Sequence, residues 1–274
     1  MRRAPGRLVL VGHPVAHSLS PALQNAALRY AGLPITYEAI DVKPEALESV
    51  LKRLVAARAA GNVTIPHKEA MGRHCSRPDA IARRVNAVNT FRVAEDGELE
   101  GTNTDVGGFD ALAREAGALR TGARVALLGA GGSAAAVLTA LERWSGATVS
   151  LFNRSTTRAA ALAARFPIVS TVAATAAEAV RNATVVVNAT SLGLKADDAF
   201  PVAIESLRAD AVVLDLVYQR RETAWVRTAR QHGHSALDGL CMLLEQGALA
   251  FEWWLGIAAP RDVMREALVT AAGM

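Results

Sequence analysis

The chain has 274 residues, of which 51% are hydrophobic and 20% are charged, and its formal net charge is +4. A chain of this length buries about 70 to 75% of its unfolded surface and is large enough for its core to divide, so we expect two modest domains. Its basic residues are spread along the sequence instead of forming a block, which argues against nucleic-acid binding. It contains no run of about 18 apolar residues, so no membrane span is predicted.

The cysteines and histidines indicate the compartment and argue against a metal site. Cys75 and Cys241 are far apart with no C-x-x-C spacing, which is typical of reduced thiols in a cytoplasmic protein. The apolar segment that follows the basic residues 1–7 is too short for a signal peptide. His13 and His17 are four residues apart, but Pro14 argues against the helix that would bring them together as metal ligands, so we expect no metal.

The first hundred residues alternate strands and helices. Leu8–Val11 predicts a buried strand, and Ser20 with Pro21 predicts an N-cap followed by proline at the first helical position of a helix that runs to Tyr30. The next predicted elements are a strand over 35–40, a helix over 45–60, a strand over 62–65, and a hairpin of strands 88–93 and 98–100 around Asp96-Gly97.

From Asp105 onward the sequence repeats βα units. Strands are predicted near 124–128, 148–152, 184–188 and 211–217. Because helical stretches separate them, this region predicts a doubly wound sheet. An apolar helix over 239–256 and a further helix after Pro260 follow, and we expect both to return to the first domain because so many large apolar residues must pack on something.

A glycine-rich loop, Gly129 to Ala134, joins the predicted strand 124–128 to an alanine-rich helix. Its first glycine permits a tight turn, and Gly131 lets the backbone approach a pyrophosphate at the N-terminus of the helix. Ala134, in place of a third glycine, keeps the helix close to the strand. The loop therefore predicts a dinucleotide cofactor.

The residues after the next predicted strand, 148–152, indicate whether the dinucleotide is NAD or NADP. An NAD-binding protein usually has an acidic residue about 20 residues after the loop, where it binds the ribose 2′-hydroxyl. This chain has Asn153 and Arg154 there, followed by Ser155 and Arg158. Arginine and hydroxyl groups bind a 2′-phosphate, which a carboxylate would repel, so the sequence predicts NADP(H).

Four polar clusters, at 17–20, 62–68, 86–90 and 102–105, lie at the ends of predicted strands. Ligands gather at the carboxyl edge of an open α/β sheet, so the clusters predict a pocket for a small polyhydroxylated acid. Lys68 and Asp105 are the candidate catalytic pair, because reduction of a ketone by hydride makes an alkoxide that an ammonium beside a carboxylate can protonate. A surface ion pair is an equally weighted alternative.

Four other residues allow more than one interpretation. Ser18 and Ser20 can cap the helix that follows or bind an anion at its N-terminus. Gln246 is an amide on an apolar helix and needs partners, either in the core or on a ligand. Met242, one turn earlier, is interpreted as core with a secondary contact to a nicotinamide.

Together these strings resemble the shikimate dehydrogenase family, the NADP-dependent reductases of 3-dehydroshikimate in chorismate and aromatic amino-acid biosynthesis. The motifs that carry the resemblance are Gly12-x-Pro14-x-x-His17-Ser18-x-Ser20-Pro21, Asn62-Val-Thr-x-Pro-x-Lys68, Ala87-Val-Asn-Thr90, Asn103-Thr-Asp105, the loop at Gly129, Asn153-Arg154, Asn188-Ala-Thr-Ser191, Asp215-Leu-Val-Tyr218, and Asp238-Gly-Leu-x-Met-Leu-x-x-Gln246.

The resemblance implies a role for each matching residue. Lys68 and Asp105 are implied to be catalytic. The implied substrate-binding residues are Ser18, Ser20, Asn62, Thr64, Asn89, Thr104, Tyr218 and Gln246. The implied cofactor-binding residues are Gly129, Ala130, Gly131, Gly132, Ser133, Asn153, Arg154, Ser155, Arg158, Thr190, Leu216, Gly239 and Met242.

The predicted fold class is α/β with two domains. Residues 1–104 with 240–274 are expected to form an α/β substrate-binding and catalytic domain, and 105–239 a Rossmann-like NADP-binding domain. The chain departs from the family pattern at Gln24 (usually His), Asn86 (usually Gly) and Arg220 (commonly Pro). Asn86 tolerates a positive φ better than most residues, so the turn there can persist. The departures at Gln24 and Arg220 leave open a quinate/shikimate or aminoshikimate-type dehydrogenase, and a non-catalytic NADP-binding regulator is the alternative from another class. We expect a monomer or homodimer whose partner is a small-molecule substrate.

Overall fold

The computed structural model describes residues 5–195 and 197–274, so that residues 1–4 of the basic start considered above lie outside the described part. The chain divides into two compact units, one formed by residues up to Gly107 together with Leu243–Met274, the other by Gly108–Met242. Each unit boundary lies three residues after the predicted one (107 against 104, and 242 against 239). As a result, Asp105 belongs to the first unit, and Met242 to the second.

The elements up to residue 115 belong mainly to the first unit. They are β1 (Arg7–Gly12), α1 (Ser20–Tyr30), β2 (Tyr37–Asp41), α2 (Leu47–Ala56), β3 (Ala59–Val63), α3 (Lys68–His74), β4 (Arg77–Pro78), α4 (Ala80–Val85), β5 (Thr90–Val93), β6 (Leu99–Thr102) and α5 (Asp105–Glu115).

The sheet of the first unit is mixed, with the strand order β2-β1-β3-β5-β6-β4. Strand β1 is parallel to β2 and β3, whereas β5 is antiparallel to both β3 and β6. The carboxyl ends of β1, β3 and β6 and the amino end of β5 therefore meet at one edge. This edge receives all four predicted polar clusters, including the one at 86–90, which precedes its strand instead of following one as predicted.

The predicted helix over 45–60 is too long at its C-terminal end. Helix α2 ends at Ala56, Arg58 takes a positive φ of 49°, and β3 begins at Ala59. A Cβ at Gly61 would lie 2.0 Å from the Val9 carbonyl oxygen, so β3 approaches β1 more closely than a side chain permits. The two alanines of residues 59–61 have a high helix propensity, but the pairing of this segment with β1 overrides that preference.

The predicted hairpin around Asp96-Gly97 is confirmed. Strands β5 and β6 pair antiparallel, Gly97 has a φ of 87°, and the Gly97 N–H donates to the Ala94 carbonyl. Beneath the sheet, Phe91 and Val88 pack with Leu51 and Leu54 of α2 in a buried apolar core. The short elements α3, β4 and α4 were not predicted, because seven residues or fewer carry little periodicity.

The second unit contains the repeated βα region. Its elements are β7 (Arg124–Leu128), α6 (Gly132–Leu141), β8 (Thr148–Phe152), α7 (Thr156–Ala163), β9 (Val169–Val172), α8 (Ala176–Val180), β10 (Val185–Asn188), β11 (Val212–Asp215), α9 (Ala224–Gln231) and β12 (Ala236–Leu237).

All neighbouring strands of this second sheet are parallel, and their order is β9-β8-β7-β10-β11-β12. Counted within the unit this is 3-2-1-4-5-6, the order of a doubly wound dinucleotide-binding sheet, as predicted. The order reverses between β7 and β10, and in such sheets ligands bind outside the carboxyl ends at that point. The strands β9 and β12 are additions to the predicted set.

Two helices complete the chain, α10 (Leu240–Leu255) and α11 (Arg261–Ala272). Helix α11 packs against α1, and the Trp254 indole N–H donates to the Phe91 carbonyl at 3.1 Å. The prediction that the C-terminal helices return to the first domain is therefore confirmed. In the described part of the chain, no helix combines the length and the apolar character that crossing a bilayer requires.

Candidate functional site

Lys68 and Asp105 form a buried ion pair. Lys68 is the first residue of α3 and Asp105 the first of α5, and both helices start at the polar edge of the first sheet. The Lys68 Nζ atom lies 2.6 Å from Asp105 Oδ2, and the two side chains are 15% and 6% exposed. The alternative of a solvated surface pair therefore does not hold. Loss of one member would leave a buried charge without its partner.

Asp105 is fixed by asparagines on two sides. The Asn89 Nδ2 group donates to Asp105 Oδ1 at 2.7 Å, so each carboxylate oxygen has its own donor. The backbone N–H of Asp105 donates to Asn103 Oδ1, and Asn103 Nδ2 donates to the Ala87 carbonyl. The start of α5 is thus tied to the segment that precedes β5.

Lys68 is held through the backbone of its helix. The Lys68 carbonyl accepts from the Val88 N–H at 3.0 Å. The preceding residue, His67, is 1% exposed, and its Nε2 donates to the Val42 carbonyl at 2.5 Å. Sequence reasoning gave His67 no role, although a histidine in the polar cluster before Lys68 was a signal that could have raised the question.

Several predicted substrate-binding residues are engaged in protein hydrogen bonds. Asn89 Oδ1 accepts from the backbone N–H of Thr104, and the Thr104 hydroxyl accepts from Asn89 Nδ2. Asn62 Nδ2 donates to the Asn89 carbonyl and to the Thr90 hydroxyl. These three side chains line the edge that carries the ion pair, and their direct contact with a substrate stays a prediction.

The hydroxyls before α1 differ from the predicted capping arrangement. The N-cap of α1 is Leu19, with no side-chain cap, and Ser20 is the first helical residue. The Ser18 hydroxyl accepts from the Ser20 N–H at 3.2 Å, whereas the Ser20 hydroxyl donates to none of the described residues. Since Ser20 does not cap the helix, its hydroxyl is available to an anion at the helix N-terminus.

Thr64 and Gln246 complete the predicted substrate set in the first unit. Thr64 follows β3. A Cβ added to Gly12, the last residue of β1, would lie 2.3 Å from Thr64 Cγ2, so the Thr64 methyl group faces β1. Gln246 is 8% exposed and donates through Nε2 to the Leu243 carbonyl of its own helix. Tyr218, the remaining predicted substrate ligand, follows β11 in the second unit.

The glycine loop of the second unit has the geometry of a phosphate cradle. Gly129 directly follows β7 with a φ of 114°, and a Cβ there would lie 2.6 Å from the Ala189 carbonyl oxygen. A Cβ on Gly131, the N-cap of α6, would meet nothing within 4 Å. Open space above a helix N-terminus is where a pyrophosphate can approach. Ala130, Gly132 and Ser133 lie in the same turn.

The predicted 2′-phosphate site lies at the start of α7. Ser155 is the N-cap, and its hydroxyl oxygen accepts from the Arg158 N–H at 3.3 Å. Asn153 Nδ2 donates to the Ser155 carbonyl, and Arg154 is exposed. Two guanidinium groups beside a helix N-terminus, without a carboxylate in the segment 153–158, suit a phosphate group.

Asn188 and Asp215, at the ends of β10 and β11, form a buried hydrogen-bonded pair to which sequence reasoning gave no role. Asn188 Nδ2 donates to Asp215 Oδ1 at 2.8 Å, and Thr190 donates to Asn188 Oδ1 through both its N–H and its hydroxyl. Burial raises the pKa of Asp215 to about 6, against the opposing effect of donors from Val217, Thr223 and Asn188. The resemblance motifs that contain both residues were the signal available.

The remaining predicted cofactor residues are Leu216, directly after β11, Gly239, directly before α10, and Met242, in the first turn of α10. A Cβ at Gly239 would lie 2.4 Å from the Leu216 carbonyl oxygen, and the Gly239 N–H donates to the Val217 carbonyl. These two segments are therefore in backbone contact. Met242 is 7% exposed, in agreement with its interpretation as core.

The family departures and the histidines have definite environments. Gln24 is buried and donates to the Gly247 carbonyl at 2.8 Å, and Asn86 ends α4 with a φ of 58°, the conformation that the usual glycine would permit. Arg220 is exposed. His13 pairs with Asp41 at 2.7 Å, and the described residues contain no group of three metal-ligating side chains.

Three family profiles match successive parts of the chain. The shikimate dehydrogenase substrate binding domain matches residues 10–91, the shikimate / quinate 5-dehydrogenase profile 111–197, and the shikimate 5'-dehydrogenase C-terminal domain 239–269. A relative from Symbiobacterium thermophilum, shikimate dehydrogenase (NADP(+)), is 43% identical over 98% of this chain and 96% of its own. This chain belongs to the shikimate dehydrogenase family.

Solved structures of family members have the same fold. Shikimate 5-dehydrogenase from Thermus thermophilus, in complex with NADP(H) and shikimate, superposes with a TM-score of 0.86 at 40% identity, covering 97% of this chain and 99% of its own. Quinate dehydrogenase from Corynebacterium glutamicum, in complex with NAD, superposes with a TM-score of 0.86 at 29% identity, covering 96% and 98%.

Proposed function

We propose that this protein is an NADP-dependent shikimate dehydrogenase that catalyses the reversible reduction of 3-dehydroshikimate to shikimate in the chorismate pathway. The observation that carries the proposal is the buried Lys68–Asp105 pair, with 2.6 Å between Nζ and Oδ2. An ammonium at the polar edge of a sheet, oriented by a carboxylate, is what protonation of a newly formed alkoxide requires. Membership of the family supplies the substrate class.

The residues of the second unit suit NADP(H). Gly129 permits the turn to pass close to the Ala189 backbone, and Gly131 leaves open space for a pyrophosphate against the N-terminus of α6. Arg154 with Arg158 supplies charge for a 2′-phosphate. When bound, the cofactor supplies or accepts the hydride. Thr190, Leu216, Gly239 and Met242 are proposed to flank its ribose and nicotinamide, which agrees with the backbone contact between Leu216 and Gly239.

The proton is handled by the first unit. In the reductive direction Lys68 donates a proton to the oxygen at C3 of the substrate as that carbon receives the hydride, and Asp105 stabilises the ammonium before the transfer. In the oxidative direction the uncharged amine accepts the proton of the C3 hydroxyl. Ser18 and Ser20 are proposed to bind the substrate carboxylate. Asn62, Thr64, Asn89, Thr104, Tyr218 and Gln246 are proposed to bind the ring and its hydroxyls.

The test is a matrix of oxidation rates followed by absorbance of the reduced nicotinamide. Shikimate, quinate and a blank are each measured with NADP and with NAD. Turnover confined to shikimate with NADP is the expected result. Quinate turnover at a comparable rate would instead support a quinate/shikimate dehydrogenase, an alternative that the departures at Gln24 and Arg220 leave open.

The remaining properties follow from composition. The two cysteines, Cys75 and Cys241, form no disulfide and the sequence has no basic block, which together favour a cytoplasmic protein that does not bind nucleic acid. We propose that it is a monomer or homodimer. A regulator that has lost turnover is the alternative from another class. Retention of both Lys68 and Asp105 in hydrogen-bonded contact argues against it.

A further inference from the structure

Tyr37 is a buried residue of β2 that sequence analysis left without a role. Its ring is 1% exposed and lies with its centroid 6.0 Å from that of Trp254. Its backbone is fixed from α1, because the Asn25 side chain accepts from the Tyr37 N–H and donates to the Tyr37 carbonyl. The Tyr37 hydroxyl donates to Asn62 Oδ1 at 2.8 Å. A phenol held this firmly presents its hydroxyl in one direction only.

A continuous series of side-chain hydrogen bonds leads from this hydroxyl to the ion pair. Asn62 Nδ2 donates to Thr90 Oγ1 at 2.9 Å, Thr90 Oγ1 donates to Asn89 Oδ1 at 2.9 Å, and Asn89 Nδ2 donates to Asp105 Oδ1 at 2.7 Å. We call this series the donor chain, and each of its four donor residues, Tyr37, Asn62, Thr90 and Asn89, is at most 5% exposed. Water therefore does not compete for these bonds.

All donors in the chain point toward Asp105. The direction is set at both ends, because an ionised carboxylate only accepts and because the oxygen of Asn62 faces the tyrosine hydroxyl. Thr90 has a single hydroxyl hydrogen; when it donates this hydrogen to Asn89 Oδ1 at 2.9 Å, the Thr104 hydroxyl is the donor in the 3.1 Å contact between the two threonine hydroxyls. Hydrogen bonds aligned in one direction polarise one another, so each strengthens the next by about 10 to 30%. The last bond, to a charged acceptor, gains most.

We propose that Tyr37 is a positioning residue for the Lys68–Asp105 pair and acts through the donor chain. The chain saturates Asp105 Oδ1, so that Oδ2 is left to hold the Lys68 ammonium in one place. The inference rests on the proposed function for its kinetic consequence, since it assigns Tyr37 to the step in which Lys68 transfers a proton.

Tyr37→Phe is the direct test, because it removes the hydroxyl and keeps the ring. The loss of one hydrogen bond of ordinary strength corresponds to about 3- to 10-fold in rate. We expect kcat for shikimate oxidation to fall by about that factor, with the KM values for shikimate and NADP changed less than about 2-fold. Tyr30→Phe, at an exposed position on α1, is the matched control and leaves kcat unchanged. Equal kcat in the two variants would overturn the proposal.

Thr90 separates a hydrogen-bonding role from a packing role. Thr90→Val keeps the shape and loses the hydroxyl, whereas Thr90→Ser keeps the hydroxyl and loses a methyl group from a fully buried site. A donor chain requires Thr90→Ser to retain a kcat at least about 3-fold above that of Thr90→Val. A merely structural position gives the opposite order, because the methyl cavity is the larger defect, and that order would sink the proposal.

A measurement without substrate keeps this inference distinct from the proposed function. Free energies of unfolding in urea are compared for Tyr37→Phe, Asp105→Asn and the double variant. A cooperative chain makes the two single effects non-additive, whereas independent sites add. If the wild type fails to oxidise shikimate but the cycle is non-additive, the proposed function fails and the chain stands. Additive effects overturn the chain whatever the activity.

Discussion

Replacing Lys68 with alanine tests the proposed chemistry most directly. The variant removes the ammonium that lies 2.6 Å from Asp105, and no neighbouring group on α3 replaces it because the adjacent His67 is committed to the Val42 carbonyl. General acid/base catalysis contributes about 10² to 10⁴ in rate. We therefore expect kcat to fall by that factor, which corresponds to about 3 to 5 kcal/mol of activation free energy.

The same substitution has a stability cost that can be measured separately. Breaking a buried ion pair costs about 3 to 5 kcal/mol, because the remaining charge is left in a poorly solvated place. Asp105 keeps its bond from Asn89 at 2.7 Å, so the expected loss is at the lower end, about 3 kcal/mol. Urea unfolding at pH 7 measures this loss, and the kinetic assay is run under conditions in which the variant is fully folded.

Two observations accompany the rate measurement. NADPH binding, followed by nicotinamide fluorescence, is expected to be unchanged, because Lys68 lies in the first unit and the glycine loop in the second. Lys52→Ala on α2, which removes an exposed lysine from an i,i+4 pair with Glu48, is the matched control and keeps full kcat. Full turnover by folded Lys68→Ala would remove Lys68 from the mechanism.

Three further predictions test the second unit. Arg154→Ala should weaken NADPH by about 10-fold or more and NADH little, as expected for loss of a charge-assisted phosphate contact; equal losses in two fluorescence titrations would refute the 2′-phosphate assignment. Gly129→Ala should abolish measurable NADPH binding, since its Cβ would lie 2.6 Å from the Ala189 carbonyl oxygen, and tight binding in the same titration would contradict that geometry. Asp215, with a pKa raised to about 6, binds a proton in the native state that the unfolded chain has already released between about pH 4 and 6, so native stability falls as pH rises through that window. Asp215→Asn should remove this fall, worth about 3 kcal/mol over the whole window and about 1.4 kcal/mol above pH 5. A wild type and variant whose stabilities in urea differ equally at pH 5 and pH 8 would disprove it.

The sequence predicted the parts of the fold that periodicity and turn chemistry specify. The doubly wound sheet followed from repeated βα units, and the hairpin from Asp96-Gly97 between two strand-like runs. The pattern did not predict where α2 ends, because residues 59–61 become a strand only through contact with Val9 across the sheet. That contact joins segments about fifty residues apart, and local propensity contains no information about it.

For the site, residue types and spacing predicted candidates, but burial decided between the interpretations. Spacing alone left Lys68 and Asp105 equally compatible with a surface pair, and the side-chain exposures of 15% and 6% exclude it. Ser20 is the opposite example: its residue type predicted a helix N-cap, but in the structure the N-cap position is Leu19. Tyr37 carried no motif signal at all, since a tyrosine in an edge strand is an ordinary core residue until its hydroxyl partner is known.

Each unit contains a buried asparagine–aspartate pair with the same hydrogen-bond pattern, Asn89 with Asp105 and Asn188 with Asp215. Asn89 and Asn188 each donate to the Oδ1 of an aspartate while accepting a threonine backbone N–H on the amide oxygen. An ionised aspartate at either position would repel the carboxylate it faces and would have no hydrogen to donate, whereas the amide donates through Nδ2 and accepts on Oδ1.

The two asparagine–aspartate pairs differ in the charge of the group that donates to the second carboxylate oxygen. Asp105 receives the Lys68 ammonium on its other oxygen, a pairing that compensates a buried charge and prepares a proton donor. Asp215 receives the neutral Thr223 hydroxyl there, and burial raises its pKa to about 6. Hydrogen bonds from neutral groups only partly replace the water that a buried carboxylate loses. The Asn89–Asp105 pair therefore suits acid/base chemistry, and the Asn188–Asp215 pair holds the loops after β10 and β11 in place.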